Sequence, residues 1–356
     1  MASHAGTDKV VITAPDAGLD PALEYPSIPP PADAGYGENE GFWVWDDETK
    51  VGMHLWLGPS GDPSLRLGRI TIWLPDGRTL TRIQDGPGTT ARAQSNGVLS
   101  AEPLEPYQSW VWRLLGSTQP TTAEELRRGA LRDGPKVLAR VAAKATMIAP
   151  PWVNGGFEDP ADYANSDYAK AQGGFRLEQF LRAEGTVQVG QEAPLRFSGL
   201  GNRTHRKGVR SLSPGILPGH FWTAAIFPSG RAFYVQLHGA EGAPPLTEEC
   251  WVKEGDTFHK AQVVDPAMFR PVLAGETFTF QLRSSLGTAT IEGERVAQSF
   301  QTLPVATGGG ITWGIDYDRP AGDLAMDQGI MRYRWDGETA CNFIERSLPI
   351  SGLARR

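Results

Sequence analysis

Cysteine is scarce: Cys250 and Cys341 are the only two, and they fit no metal-binding or redox spacing. Free thiols are expected, with a single disulfide as the alternative. The chain has no run of lysine or arginine, and its net charge is −7. Nucleic acid and anionic membranes are therefore poor partners. No apolar run reaches the length of a membrane span, and no apolar stretch precedes Pro15. Neither an integral membrane span nor a secretory signal is read, so a cytoplasmic protein is expected. Catalytic signatures are also missing: there is no Gly-x-Ser-x-Gly elbow, phosphate loop, dinucleotide fingerprint or His-Glu-x-x-His helix. Nicotinamide, flavin and nucleotide chemistry are disfavoured. His205, His220 and His238 carry no zinc-ligand spacing, so neither a metal nor a cofactor is expected.

What the chain does have is strand pattern. Its 356 residues exceed one usual core, and its 42 glycines and 28 prolines suit many short strands joined by turns. Residues 1–39, with Pro29, Pro30 and Pro31, read as a flexible arm. From Glu40 the period is two. Val51–Leu57 alternates, and Arg69–Leu74 runs through the turn Pro75-Asp-Gly77 into Arg78–Ile83, a hairpin. Tyr107–Leu115, Phe175–Val189 turning at Gly190 into Ala193–Phe197, Thr277–Leu282, Ala289–Ile291, Ile311–Tyr317 and Ile330–Trp335 also read as strands. Thr121–Arg132 has a capping pattern and predicts one short helix; Val137–Ile148 has the propensity of a helix, but its alternation makes a strand slightly preferable. Ile70–Leu80 and Thr223–Phe233 echo one another as strand, turn and strand, and a duplication agrees with the length. The resulting expectation is an all-β protein with two antiparallel β-barrel or sandwich domains, at 40–170 and 171–356.

The densest chemistry lies between Phe175 and Trp222: Glu178-Gln179, then Gly199-Leu-Gly-Asn-Arg203 with His205, Gly208 and Arg210, then His220-Phe-Trp222. Together with Gly41-Phe-Trp-Val-Trp-Asp46, Trp335-Asp-Gly337 and Glu345-Arg-Ser347, these residues resemble the hydroxyneurosporene synthase (carotenoid 1,2-hydratase) superfamily and its tocopherol-cyclase-like relatives over about residues 40–348. The resemblance implies two lipocalin-like β-domains, a hydrophobic, often isoprenoid ligand, and hydratase or cyclase chemistry without an organic cofactor. Where the family pattern has an acid and an aromatic, this chain has Thr204 and Lys207.

In a barrel, alternate side chains face opposite sides. His220, Trp222, Ala224 and Ile226 share one face, as do Glu178, Arg176, Phe180 and Arg182. Gln179 lies opposite Glu178. Trp313, Ile315 and Tyr317 share a face opposite Asp316, and which face is interior stays open. A carboxylic acid in an apolar cavity has a raised pKa and can protonate an alkene or a tertiary hydroxyl. Aromatic faces would shelter the cation, at about 0.5–2 kcal/mol per ring. On this reading Glu178 or Asp316 is the acid and His220 handles the water proton, while Trp222, Tyr317, Trp313, Gln179 and His205 contact a hydrophobic small-molecule substrate. The expected function is a cofactor-independent hydratase or dehydratase. The alternatives are a cyclase or isomerase using the same cavity, and a non-catalytic carrier, which the Thr204/Lys207 pattern favours. Each residue also has a plainer reading: Glu178 in an ion pair with arginine, Asp316 in a strand-end turn, His220 as a wall histidine bonded to backbone, and His205 with Arg203, Arg206 and Arg210 as a structural clamp between the domains. A homodimer stays open.

Overall fold

The computed structural model describes residues 8–211, 219–240, 242–264, 276–305, 310–320 and 322–353; residues 1–7 of the expected arm lie outside them. Two compact units divide the chain. One is built from Ile12–Pro120 and Gly134–Leu212, the other from Gly6–Val11, Thr121–Asp133 and Ser213–Arg356.

The first unit is a closed antiparallel barrel of eight strands: β1 (Tyr36–Asp46), β2 (Val51–Pro59), β3 (Arg66–Trp73), β4 (Thr79–Gly86), β5 (Ser109–Thr121), β6 (Val137–Met147), β7 (Phe175–Val189) and β8 (Leu195–Val209). Each pairs with the next in sequence, and β8 returns to β1, with Arg203 opposite Phe42. Alternation fills the interior: Phe42 and Val44 of β1, Leu55 of β2, Ile70 and Ile72 of β3, and Leu181 and Ala183 of β7 belong to one apolar core. The intervening residues, Glu178 and Phe180 among them, face outward yet are also buried.

The second unit repeats the plan with β9 (His220–Ile226), β10 (Ala232–His238), β11 (Thr247–Glu254), β12 (Thr257–Val263), β13 (Thr277–Ser284), β14 (Gly287–Leu303), β15 (Leu324–Trp335) and β16 (Glu338–Pro349). Each strand again pairs with its successor, and β16 pairs with β9 to close the ring. Its core contains Phe221, Phe233, Val235, Phe280, Met331 and Ile344. The all-β, lipocalin-like expectation is therefore the fold of the chain.

The sequence echo proves local. Leu74 to Arg78 and Phe227 to Arg231 make the same turn, each with a glycine in the left-handed region (φ +86° at Gly77, +85° at Gly230). The first joins β3 to β4; the second joins β9 to β10. The repeat matches a hairpin turn and not equivalent places in the two barrels.

Four expectations need correction. Phe175–Val189 and Leu195–Val209 complete the first barrel, so the junction falls beyond them and not at 170/171. Strand closure is decided by long-range pairing, which composition does not reveal. Ile311–Tyr317 contains only a two-residue strand, Thr312–Trp313, because Gly314 takes φ +82° and turns the chain. There are three α-helices among the described residues and not one: α1 (Ala123–Arg128), α2 (Pro160–Asn165) and α3 (Asp167–Gln172). Asp159 caps α2 and Ser166 caps α3. The described part of the arm is docked: Lys9–Val11 pairs with β12, and Pro21–Glu24 forms a turn of 3-10 helix with Glu24 buried. The expected short helix is present as α1, and Val137–Met147 is a strand. Cys250 and Cys341 form no disulfide. No helix among the described residues is long and apolar enough to cross a membrane.

Two local features carry measurable weight. The hydroxyl of Thr122 accepts from Glu125 N, and the Glu125 carboxylate accepts from Thr122 N, a reciprocal cap at the start of α1. Thr122→Ala is expected to cost about 1 kcal/mol in thermal unfolding. Gly201 is squeezed against β1: a Cβ there would lie 1.8 Å from the carbonyl oxygen of Trp43. Gly201→Ala must separate the two strands and is expected to cost about 1–3 kcal/mol or more by chemical denaturation. The glycines of the Gly199-Leu-Gly motif thus permit close strand approach.

Candidate functional site

The residues singled out from sequence fall into different units. Glu178, Gln179 and His205 belong to the first; His220, Trp222, Trp313, Asp316 and Tyr317 belong to the second.

In the first unit, Gln179, Arg203 and His205 lie on the core-facing side of β7 and β8. The Gln179 amide donates to the carbonyls of Tyr107 (2.8 Å) and Ala149 (3.1 Å). Arg203 donates to Glu24 through both terminal nitrogens, 2.8 Å for Nη1. Glu40 faces both Arg203 Nε and His205 Nδ1. Every one of these groups is buried, and together they form an internal polar brace. His205 is thus tied to Glu40 beside Arg203 within the first unit, and Arg206 and Arg210 are not part of this brace.

Glu178, on the opposite face, is buried among donors. Arg176 Nε and Nη2 reach Oε1 at 2.9 Å, Thr204 Oγ1 donates to Oε1 at 3.0 Å, and Asn202 donates to Oε2 at 2.9 Å. Burial pushes the carboxyl up, opposed by the Arg176 guanidinium and by the Asn202 and Thr204 hydrogen bonds. Burial prevails and the carboxyl lies above its ordinary value, although all three neighbours donate to its oxygens. The two departures from the family pattern are used structurally: Thr204 holds Glu178, and Lys207 Nζ donates to the Tyr25 carbonyl at 2.8 Å.

In the second unit, Trp313, Asp316 and Tyr317 secure the segment carrying α1. Trp313 O accepts from Leu131 N (2.7 Å) and the Tyr317 hydroxyl donates to Arg127 O (2.9 Å). Asp316 accepts from Asp318 N (3.2 Å) and Arg319 Nε (3.3 Å), the strand-end turn that its sequence context allowed. These three residues brace a turn.

His220 has different surroundings. β9 pairs with β16 so that His220 faces Ser347 and Trp222 faces Glu345. Since Phe221 and Ala225 fill the barrel core, His220 and Trp222 point to the outer face. There, His220 Nε2 lies 2.8 Å from Glu345 Oε1 and Nδ1 lies 2.7 Å from Ser347 Oγ. The backbone N–H of His220 also donates to Ser347 Oγ (3.1 Å). Gln328 donates to the second Glu345 oxygen, and Gln301 donates to Gln328 Oε1 at 2.6 Å. Gln236, opposite Trp222 on β10, accepts from the Tyr234 hydroxyl at 2.6 Å. His238 lies opposite His220, with ring centroids 6.1 Å apart. Trp222 meets Phe343 edge-on at 4.5 Å.

This face therefore carries an imidazole with a carboxylate on one nitrogen and a hydroxyl on the other, beside an indole. The carboxylate favours the proton on Nε2, which leaves Nδ1 to accept from Ser347. The His220 side chain keeps 17% exposure, while Ser347 is fully enclosed. Such a pair can take up a proton, with Glu345 stabilising the imidazolium. Glu345 and Ser347 were visible in sequence only as a motif. Their i, i+2 spacing puts them on one strand face, but nothing in the sequence says that this face meets His220.

No family model matches the chain, and no curated protein matches it by sequence. Among solved structures, the chain is similar to a candidate AttH protein from Nitrosomonas europaea, with a TM-score of 0.54 and 10% identity over 88% of this chain and 92% of that one. It is also similar to kievitone hydratase from Nectria haematococca, with a TM-score of 0.51 and 10% identity over 93% of each chain. At these identities the likeness is one of fold, and the shared fold is the lipocalin-like one that the resemblance implied.

Proposed function

We propose that this protein is a hydratase or dehydratase acting by acid–base chemistry on a hydrophobic alkene or tertiary alcohol, with no organic cofactor. The observation that carries the reading is His220 held between Glu345 and Ser347 on the strand face that bears Trp222. In the hydration direction, the His220 imidazolium, stabilised by Glu345, would give its proton to the alkene carbon; water would then bond to the resulting cationic carbon, and the proton it loses would return to His220. In dehydration His220 would protonate the leaving hydroxyl and, once water has left, take the proton from the neighbouring carbon as the alkene forms. The face of Trp222 would shelter positive charge, a contribution of about 0.5–2 kcal/mol. That a neighbour of the same fold is named a hydratase is consistent with this chemistry. Asp316 and Tyr317 have no part in it, because their polar groups are committed to the turn; Glu178 serves to hold Arg176.

The test is incubation of the purified protein with a panel of prenyl alkenes and tertiary terpenoid alcohols, read by mass spectrometry. Gain or loss of one water supports the proposal. An isomer of unchanged mass would identify a cyclase or isomerase, and saturable binding with no conversion would identify a carrier; either result overturns it.

A further inference from the structure

One cluster in the first unit serves neither the brace nor the His220 site. Arg176 on β7 lies directly across from Arg206 on β8, an arrangement of like charges that is ordinarily destabilising. Arg210 joins them: a Cβ on Gly173 would lie 2.3 Å from Arg206 Nη1 and 3.0 Å from the Arg210 stem. Three guanidiniums thus converge where α3 ends.

Their partners do not balance them. Glu178 answers Arg176. Arg206 is only 3% exposed and donates to two neutral oxygens, Asn39 Oδ1 at 2.7 Å and Gln172 O at 3.3 Å. The carbonyl end of α3 offers only the partial charge of a six-residue helix. Among the described residues, no carboxylate lies within ion-pair distance of Arg206 or Arg210, and Arg206 Nη2 and the whole Arg210 guanidinium have no hydrogen-bond partner. Glu38, a carboxylate whose charge also acts on Arg206, is engaged by Tyr36, Ser27 and Lys207. Burial, and then the charges of Arg210 and Arg176, push Arg206 down to about 9. A buried cation among like charges is costly unless an anion accompanies it. Arg210 is exposed, so an anion can reach the cluster from solvent.

We propose that Arg206 and Arg210, with Arg176 behind them, bind a phosphate group. Two positive charges are left over after Glu178 is counted, which matches a dianion better than a carboxylate, and guanidinium forks suit phosphate oxygens. The site is independent of the His220 reading.

Full-length protein in low-salt buffer is titrated calorimetrically with inorganic phosphate, phenyl phosphate and acetate. Saturable phosphate binding is expected, with acetate about tenfold weaker and Arg210→Gln weakening phosphate by about tenfold. Tighter binding of phenyl phosphate would assign the group to an organic ester, and equal binding to free phosphate. Arg206→Gln is expected to lose phosphate binding yet, without phosphate, to unfold at the wild-type temperature or above. A clamp role for Arg206 predicts the opposite: a lower unfolding temperature and an unchanged titration. That outcome, or the absence of saturable phosphate binding by the wild type, overturns the proposal. If Arg206→Gln fails to fold, the exposed Arg210→Gln carries the test.

Discussion

Glu24→Ala is expected to destabilise the first unit by about 3–5 kcal/mol, the cost of leaving a buried charge without its partner. The side chains of Glu24 and Arg203 are both wholly buried. The Glu24 carboxylate accepts from both terminal nitrogens of Arg203, from Tyr107 N at 3.1 Å and from Trp110 Nε1 at 3.0 Å. Its removal leaves the guanidinium with Glu40 Oε2, 3.5 Å from Nε, and a long hydrogen bond from Nη1 to Gln179 Oε1 at 3.5 Å, and it orphans two further donors. Urea denaturation reads the loss; unchanged stability would mean that the arm is not part of the barrel's cohesion. The same contact fixes a pH dependence. Burial raises the Glu24 carboxyl, but Arg203, His205 and the Tyr107 N–H together outweigh it and hold the pKa below its ordinary value. The folded pKa is depressed, so the stability that Glu24 contributes is full above the ordinary glutamate pKa. It is lost as pH falls through the lower, folded value. The acid-induced loss should therefore be smaller in Glu24→Ala than in wild type.

His220→Gln is expected to reduce turnover of any converted substrate by about 10²- to 10⁴-fold, the usual worth of a positioned acid–base group. Glutamine keeps a polar side chain in the same space but cannot carry the proton. Glu345→Gln should cost less, because the imidazole remains while the carboxylate that stabilises its charged form is gone. Asp316→Asn should keep wild-type turnover, because Asp316 braces a turn against Arg319. Steady-state kinetics on the three variants separates these roles. Equal loss in His220→Gln and Asp316→Asn would count against the assignment.

Much of the fold was legible because two physical signals coincide in it: strict alternation, as in Val51–Leu57, and turn chemistry, as in Pro75-Asp-Gly77. Thr122 and Glu125 announced α1 just as directly. Domain closure was not legible. Phe175–Val209 looks equally able to open a second barrel or finish the first, and only its pairing with Phe42 and Arg182's neighbours on β6 decides. Glu24, in a proline-rich leader, looks like a solvated acid until Arg203 is found against it, 179 residues away in sequence. The site divides the same way. His220 and Trp222 share a face by strand geometry alone, whereas Glu345 reaches His220 across 125 residues through the register of β9 with β16. Asp316 reads as an acid and Tyr317 as an aromatic lining for a cation because both stand on what the alternation makes a strand, Ile311–Tyr317. Gly314 instead turns them back toward α1.

The most direct test of the acid–base water chemistry is incubation in heavy-oxygen water with a converted alkene, comparing wild type with His220→Gln by mass spectrometry. The account predicts heavy oxygen in a new tertiary alcohol formed by the wild type, and that product nearly lost in the variant. A product free of the label, or labelled alcohol formed equally by both proteins, would contradict it.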